Sequence, residues 1–262
     1  MSKHPRHGHG SSSHRTRQSR AVSETLGFVF VFALIISMVG LVYTSGITSL
    51  QHARDAERVV NAERAFDVLA HNLEDVTLRG APSRATEIKL ADAQLTLNEG
   101  VTINTSGELV SDPTQNFSST TRPQPIRYDT GSDSAVIYEN GAVIRQDGSA
   151  SVMKRAPPVR LTSSESILPL VATRSQDSQS IGGSTTILVR ADHSATEIIF
   201  ANATGTWDVW VNVTSPRAEA WQQILEEEQD VDCTISGDEV NCNLKTERIY
   251  IVLHRINIEF EA

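Results

Sequence analysis

The sequence predicts an α+β protein. A long N-terminal helix is expected to span a membrane and continue as a stalk. It would pack on, or lead to, an extracellular, mainly antiparallel β-domain with one short extra helix. Three observations predict this fold: an uncharged run from Leu26 to Ile47, a helix-period apolar pattern as far as Leu78, and alternating strand patterns after Pro82.

Four segments follow from these patterns. Residues 1–20 are a basic leader, rich in Ser, His, Arg and Gly, with too little apolar surface to form a core, and they are predicted to be disordered. Residues 21–47 form the transmembrane helix, and residues 48–80 form the extracellular stalk helix. Residues 81–262 form the β-rich extracellular domain.

Charge is distributed unevenly along the chain. Residues 1–20 carry five basic and no acidic side chains, and Glu24 is the only charged residue between 21 and 47. Residues 48–262 carry 31 acidic and 18 basic side chains, a formal charge of −13. This acidic excess argues against nucleic acid as a partner, because phosphates require clusters of Lys and Arg. It favours solubility and would suit a high-salt environment.

The apolar run is long enough to cross a bilayer. Leu26 to Ile47 would measure about 33 Å as a helix, against a hydrocarbon core of about 30 Å. A secretory signal has a shorter apolar region followed by a small-residue cleavage site, and residues 43–46, YTSG, are a poor site. More Lys and Arg precede the run than follow it closely. The predicted topology is therefore single-pass in the cell membrane, with a cytoplasmic N-terminus and an extracellular C-terminal domain.

Small side chains recur along one side of the predicted membrane helix, at spacings of four, three and four. They are Ala33, Ser37, Gly40 and Thr44. Such a stripe lets membrane helices approach closely, so it predicts packing against copies or relatives of this helix. The alternative is that Gly and Ser are simply frequent in membrane helices.

The segment RAVSETLG at residues 20–27, followed by an apolar helix, resembles the N-terminus of haloarchaeal type IV pilins and pilin-like proteins. The resemblance implies that a prepilin peptidase cleaves between Arg20 and Ala21 on the cytoplasmic side, leaving the apolar segment in the mature protein. It also implies other pilin-like subunits as partners. Residues 62–90 resemble haloarchaeal secreted pilin-like proteins that have no assigned function.

The stalk is predicted from apolar residues that recur every three or four positions. They are Ala62, Phe66, Leu69, Leu73 and Val76. Gly80 and Pro82 are expected to end the helix. Because no helix breaker lies between Gly46 and Gly80, the membrane helix is predicted to run on as the stalk.

The β-domain is predicted from short alternating runs. Asn140-Gly141 between two apolar runs indicates a hairpin with a tight turn. Residues 111–127, rich in Pro, Ser, Thr and Gln, are expected to form a loop. Thr186–Val189 and Glu197–Ala201 are expected to be two separate strands that pair with each other.

The C-terminal part contains the short helix and a central strand. Ser215-Pro216 is expected to open the helix, with Ser215 as its N-cap. Residues 248–260 carry apolar side chains on both faces, which indicates a strand buried within a sheet. Trp207 and Trp221 lie on apolar faces and are predicted to belong to the core. Trp210 lies on a polar face and is a candidate for contact with a partner.

The two cysteines of the chain are Cys233 and Cys242, in the segment CTISGDEVNC. A turn at Gly237-Asp238 would place them opposite each other in a hairpin, where a disulfide can form. Closing this loop would stabilise the fold by roughly 2–3 kcal/mol. A disulfide requires an oxidising compartment, which agrees with an extracellular domain.

Four Asn-X-Ser/Thr sequons are candidate N-glycosylation sites. Their acceptor residues are Asn104, Asn116, Asn202 and Asn212.

No catalytic motif is recognisable in the sequence. It lacks G-x-S-x-G, H-E-x-x-H, a P-loop and C-x-x-C. The chain is therefore predicted to be no enzyme and to use no cofactor and no metal. His254, in a mostly apolar strand, is interpreted as a structural residue.

The predicted function is that of a cell-surface pilin-like structural protein, anchored or assembled through its N-terminal hydrophobic helix. The alternative is a non-assembling, membrane-anchored extracellular binding domain. The predicted partners are the membrane, the prepilin peptidase and other pilin-like subunits, and nucleic acid is not among them.

Overall fold

The computed structural model describes residues 15–97, 100–131, 133–175, 179–228 and 230–262. One long apolar N-terminal helix is followed by a mostly antiparallel, β-rich domain with one short extra helix, as predicted. The chain divides into two compact units, one ending at Arg54 and one spanning Asp55–Ala262.

The structure has two helices and sixteen strands in the described residues. The helices are α1 (Arg15–Leu78) and α2 (Ala218–Glu226). The strands are β1 (Ser83–Lys89), β2 (Ala93–Leu97), β3 (Thr102–Leu109), β4 (Asp112–Thr121), β5 (Ile126–Asp129), β6 (Ser134–Glu139), β7 (Ala142–Asp147), β8 (Ala150–Arg155), β9 (Arg160–Leu161), β10 (Ser166–Arg174), β11 (Ser180–Gly183), β12 (Thr186–Asn202), β13 (Trp207–Thr214), β14 (Asp232–Ser236), β15 (Glu239–Thr246) and β16 (Ile249–Glu261).

Helix α1 is a single helix of 64 residues. It ends where the sequence predicts, because Gly80 adopts a left-handed φ of +72°. Its start differs from the prediction: residues 15–20 of the expected disordered leader are helical. Those six residues contain no Gly or Pro, and each residue added to an existing helix gains a backbone hydrogen bond without a new nucleation cost. Residues 1–14 of the predicted leader lie outside the described residues.

In the unit that ends at Arg54, α1 exposes apolar side chains on all its sides between Leu26 and Leu50. Within the described residues, α1 is the one helix that is long and apolar enough to cross a membrane, judged by length and composition. A helix that is apolar all round needs an apolar environment on every side. This agrees with a single-pass membrane protein.

In the second unit, the C-terminal part of α1 packs on the β-domain. The five residues of the predicted stripe are each at most 3% exposed: Ala62, Phe66, Leu69, Leu73 and Val76. Phe66 is fully buried and meets Tyr128 edge-on, with ring centroids 6.4 Å apart. This confirms the predicted stripe and shows that residues 55–78 are part of the domain's core.

Ion pairs flank the buried stripe and join α1 to the edge of the β-domain. Glu63 lies 3.3 Å from both the Arg145 guanidinium and the Lys154 ammonium. Arg155 contacts the Asp67 carboxylate at 2.9 Å and the Glu74 carboxylate at 2.7 Å. Because these groups are partly exposed, each pair adds little stability, but together they favour one position of the helix on the sheet.

The strands form three sheets. Sheet A has the order β1-β12-β16-β10-β9, sheet B the order β11-β2-β5-β6-β7-β8, and sheet C the order β14-β15-β13-β3-β4. Of the strand pairs described, only β10 with β16 is parallel. Sheet C and α2 pack on one part of sheet A around Trp207 and Trp221, which we call the Trp core. Helix α1 and sheet B pack on the other part, which we call the helix core.

Strand β16 joins the two cores, which confirms that it is a central strand. Ile249, Ile251 and Leu253 belong to the Trp core, whereas Ile256 and Ile258 belong to the helix core. Successive side chains of a strand point to opposite faces. The Trp-core residues have odd numbers and the helix-core residues have even numbers. The first half of β16 is therefore buried on one face and the second half on the other. The apolar residues on both faces of this segment are explained by this double coverage.

The prediction of a loop at residues 111–127 is wrong. Residues 112–121 form β4, which pairs with β3 at the edge of sheet C. Most of its side chains are exposed, and Phe117 packs against the Trp core. An edge strand with a solvated face needs few apolar residues, so it lacks the alternation by which a strand is recognised.

The two strands predicted at residues 186–189 and 197–201 are one strand, β12, and they do not pair with each other. Strand β12 pairs with β16 along its length, with register shifts between His193 and Ala195 and between Ile198 and Phe200. The polar segment between the two apolar runs looked like a connection because its side chains are largely exposed. The bulges bend the strand without ending it.

Two predicted turns are confirmed. Asn140 and Gly141 have φ values of +48° and +87° and connect β6 to β7, as a type I′ hairpin requires. Cys233 and Cys242 face each other across β14 and β15 in the predicted register, with Cα atoms 4.1 Å apart, and form a disulfide.

The short helix differs in detail from the prediction. It begins at Ala218, and Arg217 occupies the N-cap position. Ser215, the predicted N-cap, instead accepts a hydrogen bond from the Arg217 N–H at 3.1 Å in the turn that precedes the helix. The prediction of Ser215 as the N-cap is therefore wrong, although a helix does follow the turn that Ser215 begins.

The packing of α1 in the helix core predicts that Phe66→Ala destabilises the domain by about 3–5 kcal/mol, because a large buried ring is lost and a cavity remains. Val68, two residues away on the same helix, is 53% exposed, so Val68→Ala is the matched control and should change stability by less than about 0.5 kcal/mol. Urea denaturation of the full chain in detergent micelles, followed by tryptophan fluorescence, measures both. Equal effects of the two substitutions would contradict the buried position of Phe66.

Candidate functional site

Within the described residues, no group of three or more His, Cys, Asp or Glu side chains could hold a metal ion. The candidate residues from the sequence lie on the apolar helix, at the four sequons, at the disulfide and at Trp210. The structure adds a buried charged cluster and a cavity in the β-domain.

The predicted cleavage junction lies within α1. Arg20 and Ala21 have helical backbone, so the junction of the uncleaved chain is part of a regular helix. Cleavage at this junction stays a prediction.

The hydroxyl groups of the small-residue stripe on α1 donate hydrogen bonds to backbone carbonyls of the same helix. Ser37 donates a hydrogen bond to the Ala33 carbonyl at 2.8 Å, and Thr44 donates to the Gly40 carbonyl at 3.1 Å. In a bilayer, polar groups must find partners within the protein. Because these hydroxyls already have partners, the stripe presents a small surface suited to close van der Waals contact between helices.

Gly40 is sterically open on this stripe. A Cβ atom built on Gly40 meets no atom within 4 Å, and the same holds for Gly46. At about 100° per residue, Gly46 lies about 150° from the centre of the stripe. A large side chain at Gly40 or Gly46 would therefore not clash with other residues of the same chain. Substitutions at these two glycines are thus suitable for testing contacts with a partner helix.

The four sequons lie in different surroundings. Asn104 on β3 and Asn212 on β13 face each other directly across the middle of sheet C. Asn116 is exposed on the edge strand β4, and Asn202 is the last residue of β12. Occupancy of any of them stays a prediction.

Trp210 lies half-buried on the outer face of sheet C, as the polar surroundings of this residue predict. It is paired with Ser106 on β3 and with Asn243 on β15. Trp207 and Trp221 are each 2% exposed and belong to the Trp core, which confirms the interpretation of both as core residues. The outer face around Trp210 is therefore polar, with one aromatic ring at its centre.

A buried charged cluster was not predicted from the sequence. Glu139 is fully buried and accepts hydrogen bonds from the Arg217 guanidinium, with Nε at 2.8 Å and Nη2 in closer contact, and from the Trp221 indole N–H at 2.7 Å. The cluster joins the β6–β7 hairpin to α2. No local pattern in the sequence indicates this contact, because 78 residues separate the two charged partners.

The turn beside Glu139 is tied to a second element. The Asn140 side-chain carbonyl accepts a hydrogen bond from the Val171 N–H of β10 at 2.7 Å. The β6–β7 turn therefore contacts sheet A through Asn140 and α2 through Glu139. This explains why a tight turn, which normally faces solvent, is buried here.

His254 is buried near the bulge of β12. Its Nδ1 lies 3.1 Å from the Thr196 hydroxyl, which in turn lies 3.0 Å from His193 Nε2. Burial lowers the pKa of His254 below its ordinary value, and the nearby charge of His193 lowers it further. The neutral imidazole is therefore favoured in the folded state, which fits a structural residue held by a hydrogen bond.

A cavity of about 400 Å³ lies at the ends of β3, β4 and β10. Its lining residues are Gly100, Val101, Thr102, Arg122, Pro123, Gln124, Arg174 and Ser175. Gln124 holds this region together, because its backbone carbonyl accepts from the Thr173 hydroxyl at 2.7 Å and its side-chain carbonyl accepts from the Ser175 N–H at 2.9 Å. Arg122 and Arg174 have neither an ion pair nor a hydrogen bond in the part of the chain that the structure describes. Among the described residues, the cavity is thus lined by two cationic groups without a counter-charge.

The buried cluster predicts that Glu139→Gln destabilises the domain by about 3–5 kcal/mol, because Arg217 would remain buried without a counter-charge. The double variant E139Q/R217M should lose less, since it also removes the unpaired charge. Glu219→Gln, an exposed change on α2, is the control. Urea denaturation of the full chain in micelles measures all three, and an E139Q loss no larger than that of E219Q would contradict the account.

Comparison with known proteins assigns the chain to a family but not to an activity. A protein of Archaeoglobus fulgidus described as uncharacterized is 27% identical over 81 residues, which are 31% of this chain. The match spans 27% of that relative's own length, and no solved structure gives a significant match. The model of a family of unknown function, DUF7289, matches residues 20–259, so the chain belongs to this family.

Proposed function

We propose that this chain is a cell-surface pilin-like structural protein, anchored or assembled through its N-terminal apolar helix. One observation carries the proposal: between Leu26 and Val42, the large apolar side chains on all sides of α1 are 50–72% exposed. Such a surface is not stable in water and requires lipid or other apolar helices. The proposed function supplies both, since the helix is anchored in the membrane and packs on neighbouring subunits.

The extent of the family match supports retention of the helix. The matched region begins at Arg20, next to the proposed cleavage junction, and includes the apolar segment together with the β-domain. A helix and domain that belong to one family unit fit a pilin-like subunit, in which a prepilin peptidase would remove residues 1–20 and leave the helix in place.

The charge distribution and the disulfide support the proposed topology. The basic residues before the apolar run favour a cytoplasmic N-terminus. The Cys233–Cys242 disulfide fits a domain in an oxidising compartment outside the cell. The protein would then be a single-pass membrane protein with its β-domain at the cell surface.

The small-residue stripe is the proposed contact between subunits. Gly40→Leu should reduce the amount of the protein in sheared surface filaments several-fold, because the larger side chain separates two closely packed helices. Gly46→Leu is the matched control, because it introduces the same side chain on the other side of the helix and should assemble normally. Quantitative immunoblots of the filament fraction and of whole membranes measure the outcome.

Two results would count against this proposal. Equal assembly of the G40L and G46L variants would exclude the stripe as the subunit contact. Absence of the unaltered protein from sheared filaments, with normal amounts in the membrane, would favour the alternative below.

A second candidate function is a non-assembling, membrane-anchored binding domain, and the cavity with Arg122 and Arg174 favours it. Guanidinium groups recognise carboxylates and phosphates through paired hydrogen bonds. Two arginines that have no ion pair among the described residues, at one cavity of about 400 Å³, fit a small anionic ligand. The size lies within the range of small-molecule sites.

The cavity is tested with citrate and inorganic phosphate as probes. If the cavity binds anions, the double variant R122Q/R174Q should bind the probe at least about tenfold more weakly, since each charged hydrogen bond contributes about 1.5–3 kcal/mol. Arg160 is also exposed and has no ion pair among the described residues, so R160Q is the control. Isothermal titration of the full chain in micelles measures binding, and equal affinities of the variant and its control would refute the anion site.

A further inference from the structure

The four sequons differ in the hydrogen bonds made by the side-chain amides of their asparagines. These differences favour one of the four as the site of N-glycosylation. N-glycosylation joins a sugar carbon to the Asn Nδ2 atom. The bond from that carbon to the phosphate of a lipid-linked oligosaccharide breaks, the lipid phosphate leaves with the bonding electrons, and a proton leaves the amide nitrogen. The acceptor therefore needs an accessible Nδ2 and a Ser or Thr two residues later on an accessible surface.

Two sequons lie in the middle of a sheet. Asn104 and Asn212 are paired directly across β3 and β13, with further strands on both sides. The Asn104 side-chain carbonyl accepts from the Thr120 hydroxyl at 2.8 Å, and the Asn212 side-chain carbonyl is buried with no partner in the described structure. Directly opposite side chains are about 5 Å apart, so two glycans would collide there.

The third sequon has its nitrogen engaged. Asn116 is exposed on β4, but its Nδ2 donates to the carbonyls of Pro113 at 3.4 Å and Thr114 at 3.3 Å. Transfer to this nitrogen would require those contacts to break.

The fourth sequon lies at the end of β12, where Asn202 is partly exposed and Ala203 and Thr204 are exposed. The Asn202 side-chain carbonyl accepts from the Thr204 N–H at 2.7 Å and from the Thr204 hydroxyl at 3.1 Å. The Asn202 Nδ2 has no hydrogen-bond partner among the described residues. The asparagine and the threonine of the sequon are thus held together by the carbonyl oxygen, while the nitrogen is left free.

The surrounding loop holds this arrangement in place. The Thr204 carbonyl accepts from the indole N–H of the buried Trp207 at 3.3 Å. The Thr206 carbonyl accepts from the Val110 N–H at 2.9 Å. Gly205 has a φ of +78°, and a Cβ there would lie 2.6 Å from Leu109 Cδ1. The loop at the end of β12 is therefore held against the β3–β4 connection, which fixes the position of the sequon on the surface.

We propose that Asn202 is the N-glycan acceptor of this chain, modified by a membrane transferase that uses a lipid-phosphate-linked oligosaccharide. This inference rests on the proposed extracellular location of the β-domain. It assigns the other three sequons as unmodified or minor sites.

The test is glycopeptide mass spectrometry of the full chain, purified from an archaeal host that N-glycosylates its surface proteins. The expected result is a modified peptide that contains Asn202, with most copies occupied. N202Q and T204A should remove this modification, whereas T204S should retain it because the hydroxyl remains. N104Q, N116Q and N212Q are the matched controls and should leave the occupancy of Asn202 unchanged.

An unmodified Asn202, or a glycan carried mainly by Asn104, Asn116 or Asn212, overturns the proposal. Added protease separates this failure from failure of the proposed location. If the β-domain in intact cells is digested while Asn202 is unmodified, the location stands and the glycan assignment falls. If the domain is protected and Asn202 is unmodified, both fall.

Discussion

The exposed apolar surface of α1 between Leu26 and Leu50 is the constraint on which the account of this protein depends. Water cannot stabilise that surface, and the β-domain has its own two cores without it. The hydroxyls of this segment bond to the helix backbone, as an apolar solvent requires. Lipid and neighbouring helices are the environments that satisfy all these features together, and a pilin-like subunit would use both.

The β-domain is built as two cores that share one sheet. Strand β16 contributes apolar residues to the helix core and to the Trp core, so neither core is complete without it. The β6–β7 turn adds polar connections, because Glu139 binds Arg217 of the α2 N-cap and Asn140 binds the backbone of β10. A domain fixed in this way presents its cavities, its sequons and the Trp210 face in defined positions.

Much of this fold could be predicted from local patterns. The period of Phe66 and Leu73 predicted the buried face of α1, and Asn140-Gly141 predicted a turn that only residues tolerant of positive φ can form. The edge strand β4 was missed because its polar, solvated side chains carry no alternation. The contact between Glu139 and Arg217, and the cavity with Arg122 and Arg174, could not be predicted, because distant segments form them only after the sheets are packed.

The most direct test of the central claim is the N-terminal sequence of the mature protein, determined by mass spectrometry on chain isolated from membranes. Pilin-like processing should give a mature chain that begins at Ala21, so that the basic leader is absent and the apolar helix is retained. A mature chain that begins at Met1 or Ser2 would contradict the pilin-like processing. One that begins after Gly46 would contradict the role of the helix altogether, since the β-domain would then have lost its anchor.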